Sequence, residues 1–469
     1  MNSIKQSDND TIVAISTALG EGGIGILRLS GSQAIAIADK VFKSKSGLAV
    51  RDQKTFTAQY GHVISGSSGK SKKIIDEVIL LLMRAPKSYT CQDVVEISAH
   101  GGSVSQKAVL ELLIAHGARL AEPGEFTKRA FLNGRIDLLQ AEAVLDLIQA
   151  KTELGRQWAA SQLEGVFSKK AQGFKEELVV ILAHLEASID FPEDETDPDA
   201  PSAMASKIQK IMDAIQKLLE GSELGFIAKR GLKVVLVGKP NVGKSSLMNC
   251  LSKKNRVIVT EYPGTTRDVV EEMIEIKGFP VILSDTAGIR PTDHPIEKEG
   301  VERSKQAVAA ADLVLFVLDR SQAVTAEDQA LLHLIQPKKK ILVLNKSDLS
   351  PKLEELSMKA LAPEASIISC SCVKNDGVSK LEDEIFRFIT DGKQEISEEF
   401  VISSVRQKDL MQKALASLKE AKQACQNKLS PEFCAADVKA ALNHLGELVG
   451  EVVNDEVLEL LFNRFCIGK

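Results

Sequence analysis

The chain has 469 residues, of which 44% are hydrophobic and 26% charged, and its formal net charge at pH 7 is -5. These proportions are typical of a globular protein and exclude a disordered or collagen-like chain. The slightly acidic balance also excludes a globally basic surface for nucleic acid, so any RNA contact is expected to be local or shared with a partner. At about 150 residues per domain, the length predicts about three domains.

The seven cysteines are an odd number scattered along the chain, unlike the paired cysteines of a disulfide framework. The N-terminal segment MNSIKQSDND contains no hydrophobic signal region, and no stretch reaches the roughly 18 consecutive apolar residues of a membrane span. We therefore expect a cytoplasmic protein that makes no use of a membrane.

Residues 1–120 are predicted to form an α+β domain. Short β-like runs such as TIVAIST and GIGILRLSG alternate there with two helical patterns, SQAIAIADKVF and SQKAVLELLIAHG. The stretch GSSGKSKK at 66–73 lies between two β-like runs, so a solvated hairpin tip is favoured over a phosphate site.

Long helical periodicity in residues 121–225, and again in 391–469, flanks an α/β segment at 226–390. In that segment apolar β-like runs alternate with helices, which indicates a doubly wound, mostly parallel sheet. We therefore predict a discontinuous all-α domain into which a Ras-like P-loop domain is inserted. The acidic stretch DFPEDETDPDAPS lacks the glycine and the twelfth-position glutamate of a calcium loop, and we interpret it as an exposed linker.

Residues 238–245, GKPNVGKS, match the phosphate-loop pattern G-x-x-x-x-G-K-[ST] and lie between a strand-like run and a helical one. The glycines allow backbone N–H groups to curl around phosphates, where the start of a helix also favours negative charge. Lys244 is predicted to act in catalysis by reaching the β and γ oxygens, and Ser245 to bind magnesium. The other predicted contacts of the loop are Asn241, Val242, Gly243 and Ser246.

Three further motifs end strand-like runs. In DTAG, Asp285 is predicted to act through a magnesium-bound water, and the Gly288 N–H to sense the γ-phosphate. In NKSD, the Asp348 carboxylate accepts two hydrogen bonds from guanine but would face adenine unpaired, so the site should select GTP over ATP. In SCV, a backbone N–H after Ser371 is predicted to meet the guanine oxygen.

The segment PGTTRD, between the phosphate loop and DTAG, supplies Thr266 as a candidate second magnesium ligand. The order of these motifs favours a GTP site over a set of ordinary turns. The remaining residues predicted to contact GTP are Thr260, Glu261, Tyr262, Pro263, Gly264, Thr265, Thr286, Ala287, Asn345, Lys346, Ser347, Cys372 and Val373.

The motifs GKPNVGKSS, GTTRD, DTAGIR and NKSD resemble the MnmE (TrmE) family of tRNA modification GTPases. The resemblance covers nearly the whole chain, because PGEFTKRAFLNGRIDLLQAEAVLDLI at 123–148 and the terminal FCIGK match as well. It implies an N-terminal domain for tetrahydrofolate binding and dimerisation, a helical domain in two parts and an inserted G domain.

The resemblance also implies an activity. The family hydrolyses GTP as a potassium-activated homodimer and works in a heterotetramer with an FAD protein of the MnmG (GidA) type. Together they add an aminomethyl or carboxymethylaminomethyl group to carbon 5 of the wobble uridine of certain tRNAs. A tetrahydrofolate derivative, 5-formyl- or 5,10-methylene-tetrahydrofolate, supplies one carbon.

The resemblance gives Glu297 a role in hydrolysis. Ile289 follows DTAG where many GTPases place a water-orienting glutamine, and Glu297 matches the glutamate that orients the water in this family. Without the resemblance, Glu297 would be interpreted as one more exposed acid in HPIEKEGVER. The family's potassium ligands match Asn241, Thr260, Tyr262 and Thr265.

Four residues match the family's folate contacts: Arg28, Glu96, Arg135 and Lys469. Arginine and lysine can hold the carboxylate of folate, and a glutamate can accept hydrogen bonds from the pterin. Cys466 belongs to the tail that approaches this pocket in the family, and a role in tRNA chemistry and a structural thiol both stay open. Glu21 departs from the family, since relatives often carry a basic residue there.

A second class of function stays open beside modification, namely a regulatory switch GTPase of ribosome assembly with no modification chemistry. The chain has one GTPase core and no evident RNA-binding module after it. Folate binding would separate the two.

Overall fold

The computed structural model describes residues 10–18, 20–66, 73–191, 200–255, 271–285, 305–392, 401–427 and 429–469. The chain divides into two compact units. The first unit comprises Met1–Leu145, Ser168–Gln172 and Leu445–Lys469, and the second comprises Asp146–Phe167 and Gly173–His444.

The first unit is built on a sheet to which seven described strands contribute. The strands are β1 (Ile12–Ile15), β2 (Ile24–Ser30), β3 (Phe42–Ser44), β4 (Thr57–Ser65), β5 (Lys73–Met83), β6 (Val94–His100) and β7 (Arg119–Leu120). Their order is β3-β4-β5-β6-β2-β1-β7. All pairs are antiparallel except β1 with β7. The short strands β3 and β7 at the two edges are not predicted from the sequence.

Successive side chains of β2 point to opposite faces of the sheet, and one of these faces packs on the hydrophobic core. Leu27 and Leu29 are fully buried against α1 (Ala34–Val41) and α2 (Ser103–Ala115), which cover one face of the sheet. Arg28 points to the other face, where it is paired in register with Glu96 of β6.

That second face is bordered by short helices and by the end of the chain. The helices are α3 (Glu125–Leu132) and α4 (Leu138–Gln149), and near the end of the chain α15 (Asp455–Phe462). Phe462 and Phe465 pack with Ala130, Leu138 and neighbouring apolar residues in one buried cluster. The last residues of the chain therefore belong to the same folded unit as the first strands.

The second unit contains helices that precede and follow an α/β segment. They are α5 (Glu153–Leu163), α6 (Val166–Asp190), α7 (Ala200–Glu220), α8 (Ser222–Arg230), α13 (Val405–Gln426) and α14 (Pro431–Val449). Residues 168–172 of α6 and 445–449 of α14 are assigned to the first unit. Helix α7 packs along α13, and the Lys422 ammonium donates to Gln209 Oε1 at 2.6 Å. Helix α4 ends at Gln149, and the Thr152 side chain caps a new helix that begins at Glu153.

The α/β segment forms a sheet with six described strands. They are β8 (Leu232–Val237), β9 (Glu271–Ile276), β10 (Phe279–Asp285), β11 (Leu313–Asp319), β12 (Lys340–Asn345) and β13 (Ser366–Ser369). The order is β13-β12-β11-β8-β10-β9, and only β9 runs antiparallel to its neighbour. Helices of this segment include α9 (Lys244–Asn255), α10 (Ala326–Leu334), α11 (Glu355–Leu361) and α12 (Val378–Ile389), and residues 305–310 are also helical.

Both faces of this sheet are buried, as expected of a doubly wound fold. Val234 and Leu236 of β8 belong to one hydrophobic cluster, whereas the alternate residues Val235 and Val237 belong to another. The fold class predicted from the sequence is confirmed. The predicted boundaries after residues 120, 225 and 390 stay predictions.

Candidate functional site

The phosphate loop connects β8 to α9 at the carboxyl edge of the parallel strands, the edge where such sheets bind ligands. Gly243 has φ +97°, and a Cβ there would lie 2.2 Å from Asn345 Nδ2. Asn241 also has a positive φ, 62°, and its side chain is exposed. Glycine at 243 is thus required both by the backbone conformation and by the close approach of Asn345.

Lys244 lies inside this loop. Its ammonium donates to the carbonyl oxygens of Gly238 at 2.8 Å and Lys239 at 3.0 Å. Burial lowers the pKa of Lys244, while the charges of Asp285 and Glu327 act in the opposite sense. The cation is therefore held at the mouth of the loop by weak neutral acceptors, which phosphate oxygens can replace.

Ser245 and Asp285 bring together two oxygen ligands of the kind that magnesium prefers. The Ser245 hydroxyl donates to Asp285 Oδ2 at 3.2 Å. The other carboxylate oxygen, Asp285 Oδ1, is buried and has no hydrogen-bond partner within the described part of the chain. These residues fit a magnesium ion, which Ser245 and Asp285 would hold beside the phosphate loop.

The predicted guanine site lies at the ends of β12 and β13. Asn345, which is 2% exposed, donates through Nδ2 to the carbonyl oxygen of Val242 at 2.8 Å. Its Oδ1 accepts from the backbone N–H of Cys372 at 3.4 Å. Asn345 thereby ties the phosphate loop to the segment after β13, so one side chain sets the spacing between the phosphate loop and the predicted guanine site.

Asp348 is exposed at this edge, and the Ser371 hydroxyl donates to its Oδ1 at 2.6 Å. That hydrogen bond holds the pKa of Asp348 below its usual range. The neighbouring Lys346 has φ 62°, and its ammonium forms a 2.7 Å ion pair with Asp319 at the end of β11. The sequence analysis does not include Asp319 among the site residues. Its position could have indicated it, because Asp319 ends a strand-like run just as Asn345 does, and the ends of neighbouring parallel strands meet at one edge of the sheet.

The structure thus gathers the described residues of the four motifs at one edge of one sheet. They are Asn241, Val242, Gly243, Lys244, Ser245, Ser246, Asp285, Asn345, Lys346, Ser347, Asp348, Ser371, Cys372 and Val373. Several predicted site residues lie outside the described residues: Thr260, Glu261, Tyr262, Pro263, Gly264, Thr265, Thr266, Thr286, Ala287, Gly288 and Glu297.

A second candidate site lies on the first unit, on the face of the sheet that carries Arg28. Arg28 Nε donates to Glu96 Oε1 at 2.8 Å. The guanidinium carbons of Arg28 and Arg135 lie 5.2 Å and 4.5 Å from the centroid of the Tyr89 ring, and that of Arg28 lies 5.7 Å from the Phe126 ring. The aromatic residues are not predicted from the sequence, because nothing local marks Tyr89 and Phe126 as site residues.

The C-terminal tail is bonded to the same region. The backbone N–H of Phe126 donates to the carbonyl oxygen of Lys469 at 3.1 Å, and the Ser16 hydroxyl donates to that of Gly468 at 3.0 Å. Gly468 has φ +98°, and a Cβ there would lie 2.4 Å from the Ile15 carbonyl oxygen. Cys466 is exposed, and so is Glu21 in the loop before β2.

None of the described helices is both long enough and apolar enough to span a bilayer. Two family models match the chain, one described as the MnmE helical domain over residues 138–466 and one as the GTP-binding protein TrmE N-terminus over residues 11–135.

Curated relatives match over nearly the full chain. A tRNA modification GTPase MnmE of Alkaliphilus oremlandii is 45% identical over 98% of this chain and 99% of its own. The protein of the same name from Clostridioides difficile is 44% identical over the same shares. Among solved structures, the G domain of the T. maritima FeoB iron transporter is 27% identical over 34% of this chain and 98% of that chain, with a TM-score of 0.28.

The full-length relatives and the two family models agree with a nucleotide site built at the carboxyl edge of a doubly wound sheet. The chain belongs to the MnmE family of tRNA modification GTPases and is a GTP-hydrolysing enzyme of tRNA modification.

Proposed function

We propose that this GTPase is activated by potassium and acts with an FAD protein of the MnmG type. The pair adds an aminomethyl or carboxymethylaminomethyl group to carbon 5 of the wobble uridine, with one carbon from a tetrahydrofolate derivative. The observation that carries the proposal is the cluster of Arg28, Glu96 and Arg135 around Tyr89, in a chain that also holds a guanine-nucleotide site. A switch GTPase without modification chemistry has no need of such a cluster.

In the G domain, Lys244 exchanges its two carbonyl acceptors for phosphate oxygens when GTP binds. Ser245 and Thr266 are the proposed direct ligands of magnesium, and Asp285 acts through a bound water. Asp348 selects guanine. These groups orient the triphosphate and balance its charge, which is most of what a protein contributes to phosphoryl transfer.

Glu297 is the proposed residue that orients the attacking water, in place of the glutamine that Ile289 replaces. Asn241, Thr260, Tyr262 and Thr265 are the proposed potassium ligands. The exposed side chain of Asn241, in the phosphate loop, is compatible with an ion beside the phosphates. Potassium there would supply positive charge to the transition state, as an arginine finger does in other GTPases.

Two copies of the chain would close over the nucleotides, so that hydrolysis drives a conformational change without supplying atoms to the product. The N-terminal domain is the proposed dimerisation domain. The partners of the complex are then a second copy of the chain, the FAD protein and the tRNA, and the cytoplasm is the proposed location.

In the N-terminal domain, the aromatic face of Tyr89 and two guanidinium groups suit a flat ring system that carries a carboxylate. Arg28, Arg135 and Lys469 are proposed to hold the carboxylate, and Glu96 to accept from the pterin. Cys466 is exposed on the tail and is the proposed candidate for contact with the tRNA chemistry.

The GTPase half of the proposal is tested by single-turnover hydrolysis in potassium and in sodium. We expect fast turnover only in potassium, and we expect Glu297→Ala to abolish most hydrolysis while the affinity for GTP stays nearly unchanged. Equal rates in the two salts would remove the ion from the mechanism, and an undiminished rate in the variant would remove Glu297.

The modification half is tested by binding of 5-formyl-tetrahydrofolate to the full chain, followed by mass analysis of wobble nucleosides from cells without the gene. Binding together with loss of the modified nucleoside supports the proposal. Absence of both would favour a regulatory switch.

A further inference from the structure

Three cysteines meet beside the proposed guanine site. Cys370 and Cys372 follow β13, and Cys250 comes from α9, the helix that begins at the phosphate loop. Cys372 Sγ lies 3.3 Å and Cys370 Sγ 3.7 Å from the same oxygen, Asn345 Oδ1. Cys250 Sγ lies 3.4 Å from the carbonyl oxygen of Cys372.

The three thiols differ in access. Cys370 is fully buried, whereas Cys250 and Cys372 are partly exposed. The inner side of Cys372 packs against the hydrophobic cluster of the sheet, and the next residue, Val373, is 87% exposed. The chain at Cys372 and Val373 therefore lies at the open edge of the sheet, which is the side proposed for guanine.

The thiols also differ in nucleophilicity. The hydrogen bond from Cys370 lowers the pKa of Cys372 to about 7, although burial acts in the opposite sense, and Cys250 and Asn345 add to the lowering. Interaction with Cys372, together with burial, raises the pKa of Cys370. The thiolate is the reactive form of cysteine, so near neutral pH the reactive sulfur of this cluster is that of Cys372, which belongs to one of its two partly exposed residues.

We infer that Cys372 is a thiol modification site for small disulfides such as oxidised glutathione, and that its modification closes the guanine pocket. The inference rests on the proposed guanine site. An adduct on Cys372 displaces the Asn345 amide, which joins the pocket to the phosphate loop through Val242. It also covers the backbone N–H that is proposed to meet the guanine oxygen. Bound nucleotide and adduct then exclude each other.

The chemistry is thiol–disulfide exchange. The Cys372 thiolate attacks one sulfur of oxidised glutathione and forms a mixed disulfide. The disulfide bond of glutathione breaks, and the leaving glutathione thiolate takes up a proton. A reducing dithiol reverses the reaction, so the modification is a switch and not damage.

The test uses the nucleotide-free full chain treated with oxidised glutathione at pH 7.5, with peptide mass mapping and titration with a fluorescent GDP. We expect the mixed disulfide at Cys372 and a loss of GDP affinity of about tenfold or more, because hydrogen bonds of the pocket are lost. Dithiothreitol should restore the affinity, and saturating GDP present during treatment should protect Cys372.

Variants separate this site from the other thiols. Treatment should leave the GDP affinity of Cys372→Ala at its untreated value, whereas Cys91→Ala, which removes another partly exposed thiol, should lose affinity like the wild type. Cys370→Ala should slow the modification at pH 7 more than at pH 9, because it removes the donor to the Cys372 thiolate.

Three results would overturn the inference: no adduct at Cys372, an adduct there with GDP affinity unchanged, or equal loss of affinity in Cys372→Ala. They are distinct from a failure of the proposed guanine site itself, which would appear as an untreated wild-type chain that does not bind GDP.

Discussion

At the scale of single residues, one hydrogen bond orients the carboxylate of Asp348, which is proposed to recognise guanine. The Ser371 hydroxyl holds one of its oxygens at 2.6 Å and keeps its pKa below the usual range. The carboxylate is therefore charged and oriented at neutral pH before any ligand arrives, and it would lose the charge only at acid pH. Such preorganisation favours a base that offers two N–H donors.

Asp348→Asn should lower the affinity for GDP about 100-fold, because two charge-assisted hydrogen bonds are lost. The same variant should gain affinity for xanthosine diphosphate, whose C2 carbonyl can accept from the new amide. Titration of both nucleotides against wild type and variant measures the loss of affinity for GDP and the gain for xanthosine diphosphate. Unchanged GDP affinity in the variant would show that guanine does not bind at Asp348.

Glu125 is a second residue whose environment determines its charge. It is 7% exposed and forms ion pairs with Arg129 at 2.8 Å and Arg119 at 2.7 Å. Burial alone would raise the pKa of Glu125, but Arg119, the backbone N–H of Glu122 and Arg129 together lower it. Because the pKa of Glu125 is lower in the folded state, its charge stabilises the fold at pH values above the usual pKa of 4.5. This contribution is lost as the pH falls through the pKa of the folded state.

Glu125→Gln should therefore lower the free energy of unfolding by about 2 kcal/mol at pH 7, because it removes one of the two carboxylates that pair with the buried Arg129, the other being that of Asp10. The difference in the free energy of unfolding between variant and wild type should become smaller at pH values below the usual carboxyl pKa. Urea unfolding with amide hydrogen exchange in β1 and α3, at pH 7 and pH 4, measures both effects. The matched control is Glu153→Gln, which removes an exposed pair with Arg156 and should change little.

At the scale of elements, the unit β8–phosphate loop–α9 is predictable from sequence because its signals are local. A strand-like run, two glycines and a helix start lie within a few residues of one another. The connection from this unit to the end of β12, through Asn345 and Val242, joins residues 103 positions apart and carries no local signal.

Gly243→Ala tests that connection. The new Cβ would lie 2.2 Å from Asn345 Nδ2 on a backbone with φ +97°, and we expect a loss of GDP affinity of about tenfold or more from strain and displacement of Asn345. Gly117→Ala is the control, because Gly117 has φ +112° but nothing within 4 Å of the added Cβ. GDP titration of both variants should show the loss only in Gly243→Ala, and equal affinities would show that the contact is dispensable.

At the scale of the whole molecule, the first strands and the last residues of the chain belong to one unit. The tail is held by backbone contacts, including the bridge between Pro123 and Ile467 and the bond from Phe126 to Lys469. Such contacts fix the position of the tail independently of its side chains. The position of the Lys469 side chain then follows from the fold of the unit.

Deletion of residues 466–469 should weaken binding of 5-formyl-tetrahydrofolate strongly, whereas Lys469→Ala, which keeps the backbone contacts, should weaken it less. Isothermal titration of both variants measures the difference, and titration with GDP reports whether the G domain is intact. Folate affinity equal to wild type in the deletion would separate the tail from the folate pocket.

The sequence by itself determined the fold class, the order of the helical and α/β segments and the position of the phosphate loop, Asp285, NKSD and SCV at the ends of strands. It could do so because hydrophobic periodicity and strand–loop–helix signals act over short stretches of chain. The edge strands β3 and β7 were too short to give such a signal.

Only the tertiary structure decided which distant side chains meet. It brought Tyr89 and Phe126 to Arg28, Asn345 to the phosphate loop and Cys250 to Cys372. These contacts depend on how strands pair and helices pack, and the chain positions of the partners, up to 122 residues apart in the case of the two cysteines, do not indicate them.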